Sequence, residues 1–81
     1  MTVITIHEDN HGFIAVAKDY KSAVTYLAGN NWFSEFYNDR TNTYDRVTDE
    51  MIDEMTERWN IDDFNEFWEG TFYLYEEDVF E

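Results

Sequence analysis

Residues 41–81 carry fourteen of the chain's nineteen carboxylates against only Arg46 and Arg58, a net charge of −12. The first forty residues set five carboxylates against three cations, for a net of −2. Charge segregated this way on a small chain creates a strong directional field. It attracts basic surfaces, repels nucleic acid and works against folding through self-repulsion.

What opposes that repulsion is aromatic content. Three Trp, six Tyr and seven Phe stand in 81 residues, and each ring can bury roughly 150–250 Å². A domain this small buries only about 60% of the surface its unfolded chain exposes, so its core must be rich. With 43% apolar residues the chain departs from the composition of an acidic disordered tail. One folded domain spanning residues 1–81 is expected. Cysteine is absent, which excludes disulfides, thiolate metal sites and Cys nucleophiles. No secretory leader pattern and no run of about 18 apolar residues is present, so a soluble, cytoplasmic protein with no membrane partner is expected.

Val3 to His7 is rich in β-branched residues and Phe13 to Ala17 is a second apolar run, with Asn10, His11 and Gly12 between them; this pattern predicts a β-hairpin. Asp19 stands at an N-cap position before Tyr20, Ala23, Val24 and Leu27 at helical spacing, with Gly29 as the expected stop. From Asn30 to Val47 the periodicity fades around Trp32, Phe33, Phe36 and Tyr37, which predicts a loop packed down by its aromatics, with room for a helical turn at Trp32 to Tyr37. Thr48 can cap a second helix with Asp49 and Glu50 in its first turn and Met51, Ile52, Met55 and Trp59 on one face. Asn60 with Asp63 resembles a capping box opening a third helix, whose stripe is Ile61, Phe64, Phe67 and Trp68 and whose stop is Gly70. Thr71 to Tyr75 alternates as a third strand before an acidic end of Glu76, Glu77 and Asp78. The expected fold is α+β, a small antiparallel sheet of about three strands packed on two to three helices, in the order ββααα(β).

Few chemistries fit. His7-Glu8-Asp9-Asn10-His11 matches the H-E-x-x-H zinc pattern, which needs both imidazoles one helical turn apart. Here the match leaves a strand and closes on Gly12, where i and i+4 residues do not face each other. Asp39, Asn42 and Asp45 supply hard oxygens but lack the spacing and glycine of an EF-hand loop. Asp62 and Asp63 are adjacent and point about 100° apart on a helix, so they cannot form an acid/base pair. Ser22 and Ser34 lie outside any G-x-S-x-G, and three isolated glycines make no phosphate-binding loop. No enzyme activity, metal or cofactor is expected.

The acidic residues have better-defined geometry. Asp49, Asp53 and Glu57 follow i, i+4, i+8, with Glu50 and Glu54 as a second row. Five carboxylates over roughly 12 Å of helix axis give about one charge per 2.4 Å, near duplex DNA at about one per 1.7 Å. Asp62, Asp63, Glu66, Glu69, Glu76, Glu77 and Asp78 are expected to extend this face, with Tyr73 and Tyr75 as contact residues. Trp59, Phe64, Phe67, Trp68, Phe72 and Leu74 are expected in the core. A row of like charges costs a helix a few tenths of a kcal/mol per pair, and a surface shaped for stability alone would intersperse lysines.

The stretch Gly12 to Trp32, GFIAVAKDYKSAVTYLAGNNW, resembles a segment of small uncharacterised acidic proteins of Gram-positive phages and mobile elements, in which a glycine-led strand enters an Ala/Leu-faced helix and ends at a tryptophan. The resemblance implies a mobile-element origin, where such proteins sometimes act as nucleic-acid mimics, anti-CRISPR or anti-restriction. The expected partner is a basic surface of a host nucleic-acid-binding protein. The alternative is an interaction module that uses exposed aromatics or a strand edge, its charge serving solubility.

Overall fold

Alternation within Thr2–Glu8 buries Ile4 and Ile6 and turns Val3, Thr5 and His7 to the other side, which makes this segment (β1) a strand with one core face. In the computed structural model, which describes residues 1–79, it is the central strand of a three-stranded antiparallel sheet. Gly12–Ala17 (β2) pairs on one side and Phe72–Asp78 (β5) on the other. Ile6 lies opposite Ala15 and His7 opposite Phe13, so Ile14 is an extra residue, a β-bulge. The bulge lets both Ile14 and Ala15 pack on the core while Phe13 swings to the far face.

Three helices cover one face of this sheet. Tyr20–Gly29 (α1) begins where Asp19 accepts the amide of Ser22 at 2.8 Å, and it buries Ala23, Val24 and Leu27. Asp49–Glu57 (α2) is capped by Thr48 and buries Met55. Ile61–Phe67 (α3) has a complete capping box between Asn60 and Asp63 and buries Phe64. Gly70 follows with φ +85°, a left-handed position suited to glycine. Around Phe64 gather Phe33, Trp68 and Phe72, with Phe33 stacked on Trp68 at 5.2 Å. The Tyr20 hydroxyl donates to the Met55 carbonyl at 2.7 Å, tying α1 to α2. Burial, with Asp63 nearby, raises the Tyr20 pKa far above the ordinary phenol value.

The α+β class and the three-stranded sheet on three helices agree with expectation, but the chain order is ββαββααβ. Asn30 to Val47 does not remain a loop, and Trp32 to Tyr37 takes no helical turn. Glu35–Asn38 (β3) and Thr43–Arg46 (β4) form a second hairpin, with Tyr37 across from Tyr44. Its turn uses Asn42 at φ +55° and is held by the Asn42 amide donating to the Asn38 carbonyl. Helix α1 ends at Gly29 as expected, but the left-handed residue that follows is Asn31 at φ +60°, not the glycine. Asparagine tolerates this region better than other side chains do.

Glu76, Glu77 and Asp78 also differ from expectation. They are strand residues opposite Ile4, Val3 and Thr2, not an acidic end. On the outer edge of β5, Asn65 of α3 accepts the Leu74 amide and donates to the Leu74 carbonyl, both at 2.8 Å. One side chain thereby stands in for a neighbouring strand. Alternation places the outward backbone groups of Glu76 and Asp78 further along the same edge, where two carboxylates guard them against pairing.

Candidate functional site

Helix α2 presents its carboxylates in the two rows that its spacing demands. Asp53, Glu54 and Glu57 are exposed, and with Glu50 and Arg58 they line a shallow cleft of about 450 Å³. Four carboxylates against one guanidinium leave this lining at −3. Asp49, in the first turn, is exposed outside the cleft. A second cleft of about 370 Å³ lies between Trp59, Asp63, Glu66 and Phe67. A third, of about 480 Å³, separates α3 from the β3–β4 hairpin. Its carboxylates are Glu35, Asp39, Glu66 and Glu69, and its aromatics include Phe36, Tyr37, Tyr44 and Phe67.

Two of these clefts are continuous, because the second and third share Glu66 and Phe67. The first lies on α2 and shares no lining residue with them, its Arg58 directly preceding Trp59 of the second in the chain; the acidic band is this α2 cleft together with the joined pair. Trp59 on Phe67 at 5.1 Å and Phe36 on Phe67 at 5.4 Å make a continuous aromatic floor. Phe67, expected in the core, is 40% exposed, and Trp59 is only half-buried. Helix α3 is short, so Phe64 and Trp68 fill the core while Phe67 rides on its rim.

Cations do little to neutralise the band. Among the described residues the ion pairs within 4 Å are Lys21 with Glu57 at 3.3 Å, and His11 with Glu8. The first is exposed at both ends, a geometry worth at most about 1 kcal/mol. Asp63 has a structural duty, because its carboxylate accepts the Asn60 amide at 3.1 Å. Asp62 is exposed beside it and lines none of the three clefts.

The structure therefore gathers Glu50, Asp53, Glu54 and Glu57 in the α2 cleft and Asp63, Glu66 and Glu69 in the joined pair, and leaves the β5 residues apart. Tyr73, Tyr75 and Glu77 alternate with the buried Phe72 and Leu74, so they lie on the sheet face turned away from the helices. Glu76 and Asp78 are exposed toward the helix side of the strand. Glu35, Asp39 and Tyr44 were missed as members of the band, and Tyr37 joins it as an exposed tyrosine. The alternation of Glu35-Phe36-Tyr37-Asn38 is the signal that marks this segment as a strand.

The H-E-x-x-H match resolves into turn chemistry. His7 lies on the far sheet face with its Nε2 3.1 Å from Thr5 Oγ1, while Glu8 points to the core side. Glu8 accepts the amides of Asn10 and His11 and bonds His11 Nδ1. Those bonds, the His11 side chain first, hold its carboxyl below the ordinary value of 4.5. A lowered folded pKa contributes stability that is present above the unfolded value and lost as pH falls through the folded one. Glu8→Ala should therefore lower stability by about 1–2 kcal/mol at neutral pH. In urea melts the gap to wild type should close below about pH 4.5; a gap constant down to pH 3 would contradict this role.

In the β3–β4 turn, Asp45 accepts from Asn38 at 2.8 Å and Thr43 at 3.3 Å, and Asn42 accepts the Tyr37 hydroxyl at 3.0 Å. These oxygens knit the hairpin. Among the described residues no three His, Asp or Glu side chains converge as a metal-ligand set, and no helix is long and apolar enough to cross a membrane. No family model matches this chain, and neither the comparison with curated proteins nor that with solved structures finds a match.

Proposed function

We propose that this protein is a non-enzymatic, cofactor-free acidic inhibitor from a phage or mobile element that acts in the cytoplasm. It binds the basic surface of a host nucleic-acid-handling protein and competes there with DNA or RNA. The observation that carries this reading is the acidic band of three clefts, two of them joined, each lined by carboxylates and two of them floored by aromatic rings. Lysine and arginine side chains that hold phosphates would meet carboxylates at similar spacing, and the clefts would receive their aliphatic stems. Electrostatics would steer the approach, and Trp59, Phe67, Tyr37 and Tyr44 would fix the pose.

Such binding is salt-sensitive. Raising salt from about 0.05 to 0.5 M shortens the screening length from roughly 14 to 4 Å. A basic partner held by the immobilised chain at low salt should be released at high salt and by duplex DNA. Retention through both washes would contradict the proposal.

A further inference from the structure

The sheet face turned away from the helices is covered by none of the described residues. It carries Val3, Thr5 and His7 from β1, Phe13 and Val16 from β2, and Tyr73 and Tyr75 from β5. Phe13 is 59%, Val16 54% and Tyr75 49% exposed. His7 organises the patch, with its ring edge-on to Phe13 at 5.7 Å and to Tyr75 at 5.2 Å. Among the strand residues, alternation puts one carboxylate here, Glu77 at the end of β5. In a chain of charge −14 this near-neutral apolar face is the exception.

We infer that this face is where two copies of the chain meet, sheet against sheet, about a two-fold axis. The charge distribution favours a second copy over a basic partner, because the face offers almost no carboxylate to match a cation, while an identical neutral face complements it. Repulsion between two such acidic chains is avoided by the layering. Sheets pack about 10 Å apart and each helix layer lies about 10 Å further out, so the acidic layers stand roughly 30 Å apart. That exceeds three Debye lengths at physiological salt, where one is about 8 Å. Two strands of seven residues and one of six span about 15 by 23 Å, roughly 350 Å² in projection. This falls short of the roughly 800 Å² per partner of a standard stable interface, so the dimer is a weak one.

Sedimentation velocity from low-micromolar to about 0.5 mM protein tests this. The expected result is a monomer that converts to a dimer over that range, more readily in about 0.5 M NaCl, which screens residual repulsion. Val16→Lys and Tyr75→Glu, made separately on exposed positions, should each raise the dissociation constant at least about tenfold. Asp53→Lys should leave it unchanged. The opposite salt dependence separates this interface from the acidic band, so either can fail alone. A monomer throughout, a dimer indifferent to both face substitutions, or concentration-dependent amide protection on α2 instead of β1, β2 and β5 would overturn the inference. So would a monomer that engages another protein through these residues.

Discussion

Asp53→Lys is expected to stabilise the protein while weakening its binding to a basic partner. In α2 the native Asp53 stands one turn from both Asp49 and Glu57, and it is exposed. Reversing its charge turns two like-charge i, i+4 contacts into two attractive ones, a gain of about 0.5–1 kcal/mol. The same change takes the lining of the α2 cleft from −3 to −1, which should raise a partner's dissociation constant about tenfold or more. A melting temperature that rises while affinity falls marks a surface kept for binding at some cost in stability. If affinity is unchanged and only stability rises, the α2 carboxylates are a solvated face and the band is not the site.

The largest effect on folding should come from Phe64→Ala. This side chain is fully buried, and its ring packs against Tyr20 at 6.2 Å, Phe33 at 6.1 Å, Trp68 at 6.3 Å and Phe72 at 6.5 Å. It joins α1, α3, β5 and the segment before β3 in one contact, so no single neighbour can collapse into the space it leaves. Truncations of this kind cost about 3–5 kcal/mol. A domain of this length has roughly 4–12 kcal/mol in total. Urea titration should show the midpoint falling by a third or more, or no folded baseline at all. Phe67→Ala, on the rim of the same helix, should cost less than half as much, and equal losses at the two positions would contradict the division between core and band.

Most elements of the fold are legible because local chemistry and tertiary packing agree. Asp19, Thr48 and Asn60 cap their helices as their positions demand, and Ala23, Val24 and Leu27 bury the stripe that their spacing defines. One turn is misread. At Asn42 the left-handed conformation falls on asparagine, so a search for glycine overlooks the β3–β4 hairpin, whereas α1 does end at Gly29 although Asn31 takes the left-handed turn after it. The acidic part of β5 is hidden for another reason. Glu and Asp are depleted in strands, and what holds Glu76 to Asp78 in place is pairing with Thr2 to Ile4 at the opposite end of the chain. In the band, the rows on α2 follow from helical periodicity alone. Glu35 and Asp39 join it only because the hairpin lies against α3, a juxtaposition that no local pattern records.

The central claim is that the band occupies a groove built for nucleic acid. Its most direct test is capture from a lysate of a Gram-positive host at low salt on the immobilised chain, beside an Asp53→Lys column, followed by elution with duplex DNA and identification of what is released. The account predicts a basic nucleic-acid-binding protein that the wild-type chain retains, DNA displaces and the Asp53→Lys chain holds poorly. A captured protein that DNA fails to displace, or that both columns retain equally, would contradict it.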